Sequence, residues 1–143
     1  MLRGVSFEEE TAENFFCNLL ELMDVTLYDW FVDDVLDYNY KYFRPGKYSG
    51  EEFGMALEEL STLSFARIRR YPIDQQIHNI DIFEDYERSA CDFLLLFYDG
   101  GYYEVYEKDK DMISLTMDYC MRFGFDKVAY IDDADFARSY MHY

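Results

Sequence analysis

The stretch Cys91 to Lys108, CDFLLLFYDGGYYEVYEK, constrains the fold most, because two β-prone runs flank Asp99-Gly100-Gly101. Asp-Gly or Gly-Gly between apolar runs is a strong signal for a tight antiparallel hairpin, since the favoured turns need positive φ angles. The first run is apolar at every position, so both faces of its strand should be covered. This predicts a central strand of a sheet, with Leu95 fully buried.

The alternation of side chains along a strand also predicts which hairpin residues share a face. In the first strand, one face carries Phe93, Leu95 and Phe97. We expect the second strand to add to this face the residues Tyr102, Glu104 and Tyr106. On the opposite face we expect Tyr103 and Val105 beside Leu94 and Leu96.

The length and composition of the chain predict one folded domain spanning residues 1–143. A chain of 143 residues lies in the usual single-domain range, and half of its residues are hydrophobic and a fifth aromatic. Against 13 Lys and Arg stand 30 Asp and Glu, a formal net charge of -17. This charge repels phosphate backbones and anionic lipids, so it disfavours direct nucleic-acid or membrane binding. The acidic surface either keeps an aromatic-rich protein soluble or serves to bind a basic protein partner.

The cysteines and the lack of long apolar runs predict a cytoplasmic protein. No stretch approaches the roughly 18 uninterrupted apolar residues that a membrane span needs. Cys17, Cys91 and Cys120 are an odd number at wide spacing, and each lies in an apolar pattern. We expect all three to be reduced and buried.

Hydrophobic periodicity predicts six strands and three helices. Besides the two hairpin strands, the predicted strands are Leu2 to Phe7, Val25 to Val32, Leu63 to Tyr71 and Asp126 to Asp132. The first helix follows the stripe from Ala12 to Met23, the second begins at a Ser49 to Glu52 capping box, and the third is capped by Asp109 or Asp111 and stopped by Gly124.

The element order β-α-β-α-β-β-β-α-β predicts an α+β or α/β domain with a mixed sheet of about six strands around the hairpin. A strand, a helix and a strand in close succession usually make a crossover between parallel strands. We expect two such units to flank the hairpin. The strand Leu63 to Tyr71 carries three arginines, which predicts a position nearer an edge than the hairpin. For residues 33–47 a short helix followed by an ordered loop is expected, and for 80–88 one or two helical turns.

No catalytic, cofactor or metal signature is present in the sequence. His78 and His142 are the only histidines, and neither is close to a cysteine as a zinc site or a nucleophile-base pair would favour. The acidic runs around Asp33 and Asp132 do not match a calcium-binding loop. We therefore assign no catalytic, cofactor-binding or metal residues and expect no cofactor.

A tyrosine-rich segment is the strongest candidate for an interaction surface. Tyr38, Tyr40, Tyr42 and Tyr48 lie in an irregular region beside acidic residues. Tyrosine offers a large contact area with a polar tip and is enriched at interfaces. The alternative is that these rings cap the hydrophobic core.

Several segments together resemble a bacterial family of small acidic proteins, the domain-of-unknown-function family 2691. The similar segments are RGVSFE, DWFVDD, YSGEEF, RRYP, DIFEDYERSACDFLLLFYDGGYYEVYEKD and GFDKVAYIDD. The resemblance covers nearly the whole chain and implies a bacterial cytosolic protein of one domain. It carries over no catalytic or binding residue.

Three functional hypotheses follow from these features. The favoured one is a non-enzymatic binding protein, of an inhibitor or immunity type, whose acidic and tyrosine-rich surface covers a basic partner. The first alternative is an enzyme on a small cationic or neutral substrate, with Glu104, Tyr106 or His78 as acid-base groups near the hairpin. The second is an inhibitor that mimics DNA with its carboxylates.

Overall fold

The structure is a computed structural model that describes residues 1–10, 23–37, 43–58, 63–98, 101–133 and 141. Its central feature is a seven-stranded sheet. The strands are β1 Leu2–Glu8, β2 Asp29–Asp37, β3 Gly46–Tyr48, β4 Leu63–Tyr71, β5 Phe93–Tyr98, β6 Tyr102–Glu107 and β7 Asp126–Asp132. The described helices are α1 Gly50–Glu58, α2 Phe83–Arg88 and α3 Lys110–Arg122. The α+β class is confirmed, while the predicted first helix, from Ala12 to Met23, lies outside the described ranges except for Met23.

The sheet is antiparallel throughout, in the order β3-β2-β4-β5-β6-β1-β7. The expected mixed sheet with parallel neighbours is therefore wrong. A strand-helix-strand crossover indicates that the two strands run in the same direction, but it does not decide whether they are adjacent in the sheet. Strands β6 and β7 run in the same direction with α3 between them, and β1 inserts between them and pairs antiparallel with both.

Strand β5 is the middle strand of the seven, as the apolar run predicts. Leu95 is 0% exposed, which confirms its predicted burial. One face of the sheet packs against α1 and α3, where Trp30 stacks on Phe53 with 4.1 Å between ring centroids. The other face packs against α2 through Phe83 and Tyr86. Burial on both sides explains why the strand is apolar at every position.

The register of the hairpin contradicts the predicted faces. Tyr98 pairs with Tyr102, so three residues separate the strands, and Gly101 has a φ of +85°. One face consequently combines Phe93, Leu95 and Phe97 with Tyr103, Val105 and Glu107. The opposite face combines Leu94, Leu96 and Tyr98 with Tyr102, Glu104 and Tyr106. A shift of one residue in loop length exchanges the faces of a whole strand, and this shift is the physical reason for the error.

The segment before β2 forms a short 3₁₀ turn, Val25–Leu27, so the predicted strand Val25 to Val32 begins too early. The Asp24 carboxylate accepts from the backbone N–H of Thr26 at 3.0 Å, and the indole N–H of Trp30 donates to the Val25 carbonyl at 2.9 Å. Such side-chain bonds give the backbone an alternative to the sheet. The expected helix in residues 33–47 is also wrong in the part described, because β2 continues to Asp37 and β3 adds the seventh strand.

The predicted helix boundaries near the two capping motifs are confirmed. Ser49 and Glu52 exchange backbone-to-side-chain bonds of 3.1 and 3.2 Å at the start of α1. Asp109 caps α3, and Gly124 follows that helix with a φ of +71°. The predicted helical turns within residues 80–88 correspond to α2, and the strand Leu63 to Tyr71 corresponds to β4.

Strand β4 lies one place nearer a sheet edge than the hairpin strand β5 and as far from an edge as β6, but it is an interior strand, because β2 and β5 flank it on its two sides. Its arginines Arg67, Arg69 and Arg70 are all buried. They occupy an interior strand because carboxylates, carbonyl groups and aromatic rings surround their guanidinium groups. The arginines therefore mark buried ion pairs and not an exposed edge.

Candidate functional site

A cleft opens at one end of the sheet, where β4 and β6 end, β5 begins and α3 starts. Its volume is about 460 Å³, which lies within the range of small-ligand pockets. We call it the sheet-end cleft. Its lining residues are Met23, Asp24, Tyr28, Arg70, Asp92, Glu107, Lys108, Asp109 and Met112.

Glu107 is the most buried ionisable group of the sheet-end cleft. It ends β6, faces α3, and is 5% exposed. Burial raises the pKa of this carboxyl to about 8, although a bond from Thr116 and the charge of Arg70 both favour its ionised form. The Thr116 hydroxyl lies 3.1 and 3.0 Å from its two oxygens. One hydroxyl proton satisfies only one oxygen at a time, so the carboxyl keeps acceptor capacity.

Arg70 places a positive charge in the cleft, and the neighbouring Asp92 carboxylate neutralises this charge. Its Nε donates to Oδ1 of Asp92 at 2.7 Å. The guanidinium carbon lies 4.2 Å from the ring centroid of Tyr28 and 5.4 Å from that of Phe93. A buried guanidinium that is paired with a carboxylate and stacked on rings is held in one orientation. Arg70 and Asp92 together leave little net charge in the cleft.

Lys108 borders the cleft, but its ammonium group lies elsewhere. Its Nζ donates to the carbonyl of Ser89 and lies 5.1 Å from the ring centroid of Tyr86, on the side of the sheet that packs against α2. Neighbouring residues in a strand point to opposite faces, so Lys108 points away from the side of Glu107. The Lys108 ammonium is thus directed to the α2 side of the sheet, although it still interacts electrostatically with Asp92.

The rim of the cleft carries two exposed carboxylates, Asp24 and Asp109. Bonds from Thr26 keep the pKa of the Asp24 carboxyl below its usual range. Asp109 accepts from the backbone N–H of Asp111 at 2.9 Å as it caps α3. With Arg70 matched by Asp92, the charge that remains around the opening is negative. The cleft is thus suited to a cationic group.

A second polar cluster lies on the opposite face and has a structural role. Arg67 donates from Nε to Asp33 at 2.7 Å, and its Nη1 donates to the carbonyls of Ile80 and Met141. Arg69 donates to the carbonyl of His78 at 2.8 Å. These bonds join β4 to the following loop and to Met141, so they stabilise the cover of this face.

The predicted acid-base groups lie away from the cleft. Glu104 is 4% exposed, and the hydroxyls of Tyr98 and Tyr106 donate to it at 3.3 and 3.2 Å. It therefore lies on the opposite face of β6 from Glu107. His78 is exposed, and its carbonyl accepts from Arg69. The structure brings Glu104 and Tyr106 together, but neither lines the sheet-end cleft.

Of the predicted tyrosine surface, only Tyr48 lies among the described residues. Its hydroxyl accepts from the backbone N–H of Arg44 at 2.6 Å, and its ring lies 6.2 Å from that of Phe53. Tyr48 thus packs on the core. Tyr38, Tyr40 and Tyr42 lie at 38–42, outside the described ranges, so the tyrosine surface stays a prediction.

The described cysteines are free and buried, as predicted for Cys91 and Cys120. Burial raises the pKa of each thiol to about 12, so both are protonated at neutral pH and neither is a nucleophile. Cys17 and His142 lie outside the described residues.

Within the described ranges, no group of three or more His, Cys, Asp and Glu side chains is placed to hold a metal ion. No helix of the described part of the chain is long and apolar enough to cross a membrane. The acidic runs around Asp33 and Asp132 supply ion pairs: Asp33 binds Arg67, and Asp132 and Asp133 bind the amino group of Met1.

Comparison with known proteins identifies relatives without assigning them an activity. A curated relative, the "Uncharacterized protein YncE" of Bacillus subtilis (strain 168), is 23% identical over 153 aligned positions, which cover 97% of each chain. No solved structure matches the chain. Residues 2–142 match the family described as "Protein of unknown function (DUF2691)". The chain therefore belongs to the DUF2691 family, as the resemblance of its segments implies.

Proposed function

We propose that the protein is a non-enzymatic binding protein, of an inhibitor or immunity type, that receives a cationic side chain of a basic partner in the sheet-end cleft. The observation that carries this proposal is the internal neutralisation of Arg70 by Asp92. It leaves Asp24, Asp109 and Glu107 as the carboxyl groups facing the opening. A concave site with this balance attracts a cation and repels an anion.

The distribution of charge over the whole chain supports the same partner. Of the 13 Lys and Arg, three are buried in β4, whereas of the 30 Asp and Glu only Glu104 and Glu107 are buried among the described residues. Within the part of the chain that the structure describes, the fold thus buries a larger share of the basic side chains than of the acidic ones. Complementary charge steers association most strongly at low ionic strength.

The test compares capture of proteins from a bacterial lysate by two immobilised variants of equal charge. Asp24→Asn with Asp109→Asn removes the rim carboxylates but keeps both caps, because Asn caps a helix as well as Asp does. Asp111→Asn with Asp118→Asn removes the same charge from exposed positions of α3. We expect the wild type and the α3 variant to retain a basic protein at low salt, and the rim variant to lose it.

Two further conditions sharpen this comparison. High salt should release the partner, since exposed charges are screened within about 8 to 10 Å at physiological ionic strength. Duplex DNA added to the complex distinguishes the DNA-mimic alternative, because it should displace the protein only from a partner that uses its DNA-binding surface. Equal retention by both variants would refute the cleft as the binding site.

A further inference from the structure

We propose that the group received in the sheet-end cleft is the ammonium of a lysine side chain, which pairs with Glu107 and drives a proton from it. This inference rests on the proposed function and specifies both the chemistry of the partner and a dependence on pH. It is argued from the shape of the cleft, from the lone pairs that Glu107 leaves open and from the charges around it.

The dimensions of the cleft favour a long side chain with a small charged head. Exposed Asp24 and Asp109 form the rim, whereas Glu107 is buried. Met23, Tyr28 and Met112 also line the cleft and supply thioether and aromatic surface. A lysine has a flexible four-carbon stem for such a wall and a compact charge for the base.

The contact with Thr116 selects against a guanidinium. A guanidinium binds a carboxylate best with two parallel hydrogen bonds to both oxygens. In Glu107 both oxygens already lie within 3.1 Å of the Thr116 hydroxyl, which occupies the edge that such a fork requires. An ammonium needs only one free lone pair and carries three donors of its own. Arg70 already fills the place of a stacked guanidinium, over Tyr28.

The charges that face Glu107 decide how its proton responds to the ligand. Arg70 on β4 stabilises the ionised form, while Asp92 before β5 and Asp109 at the start of α3 oppose it. On α3 the Thr116 hydroxyl also stabilises it, and the Cys120 thiol stays neutral because burial raises its pKa to about 12. Burial dominates, so the pKa of the free carboxyl is raised to about 8. An ammonium placed against it favours the ionised form, and the displaced proton goes to solvent.

The experiment titrates the protein with three capped tripeptides, Gly-Lys-Gly, Gly-Arg-Gly and Gly-norleucine-Gly, and follows the ¹³C signals of the methionine methyl groups. Met23 and Met112 line the cleft, while exposed Met55 and Met121 lie outside its lining and serve as internal controls. We expect only the lysine peptide to shift the two cleft methionines strongly. The dissociation constant of the lysine peptide should fall about tenfold from pH 7 to pH 9, because Glu107 ionises in this range while lysine stays charged.

Two variants assign the pH dependence to one carboxyl. Glu107→Gln keeps a polar contact with Thr116 and should make the lysine affinity independent of pH in this range. Glu104→Gln alters a buried glutamate on the opposite face of the same strand and should leave the pH dependence in place. Methyl signals in the absence of peptide show whether each variant is folded.

Several results would overturn the inference: equal affinity at both pH values, equal binding of the arginine or norleucine peptide, or unmoved signals of Met23 and Met112. Its failure is distinguishable from failure of the proposed function. A partner captured through the rim carboxylates without lysine binding would refute the lysine and Glu107 while leaving the cleft as the interface. Lysine binding with the predicted pH dependence and no captured partner would uphold the site and refute the role as a protein-binding module.

Discussion

At the scale of single residues, Glu107 should make stability depend on pH. Its folded pKa of about 8 lies above the ordinary value of 4.5, so between these values the folded state binds more protons than the unfolded state. The contribution is fully present below about pH 4.5 and is lost as pH rises through 8. Relative to Glu107→Gln, the wild type should lose about 3 kcal/mol of unfolding free energy between pH 5 and 8.

Urea unfolding of the wild type and Glu107→Gln at several pH values in this range measures the difference directly. Other titrating groups largely cancel because both proteins share them. A difference that stays constant with pH would show that Glu107 is solvated in the folded protein, and one that favours the wild type at higher pH would show that Thr116 and Arg70 stabilise its ionised form more than burial opposes it.

At the scale of elements, replacing two glycines distinguishes the cost of backbone strain from the cost of steric contact. Gly101 and Gly124 have φ angles of +85° and +71°, so alanine at either position should cost about 1 to 2 kcal/mol for the left-handed backbone. At Gly101 the new Cβ would also lie 1.9 Å from the carbonyl oxygen of Glu9, whereas at Gly124 nothing lies within 4 Å. Gly101→Ala should therefore be clearly the more destabilising change.

Urea unfolding midpoints of Gly101→Ala and Gly124→Ala, compared for transitions of equal slope, measure this difference in stability. The Gly101 carbonyl accepts from the backbone N–H of Glu9 at 2.8 Å, so loss of this contact should also increase amide exchange at the end of β1. Equal losses of stability in both variants would mean that the hairpin loop and β1 do not approach as closely as the structure describes.

At the scale of the whole molecule, the net charge of -17 should make salt stabilising. Repulsion among the carboxylates opposes the compact state, and added ions screen it. We expect the thermal or urea midpoint to rise from low to moderate sodium chloride. A protein of similar size and near-zero net charge is the control for general salt effects. A midpoint that falls with salt would indicate that ion pairs such as Arg67 with Asp33 outweigh the repulsion.

The sequence by itself determined the features whose causes are local. The Ser49 capping box, Gly124 beyond α3, the apolar run of β5 and the strand Leu63 to Tyr71 are each encoded within a few residues. The sequence pattern does not reveal the seventh strand, because β3 has only three residues and no periodicity of its own. The resemblance to the DUF2691 family is likewise carried by segments of the amino-acid sequence and requires no tertiary structure.

The tertiary structure alone decided the features that depend on residues distant in sequence. Strand order follows from which strands bury each other, and one residue of loop length decided that Glu107, and not Glu104, faces α3. The sequence contains 30 acidic residues, and nothing in it indicates that Glu107 is a carboxyl that β4, β6 and α3 enclose. Its burial, its contact with Thr116 and the pairing of Arg70 with Asp92 exist only once the sheet end is assembled, because each depends on the position of atoms and not on the identity of neighbours in the chain.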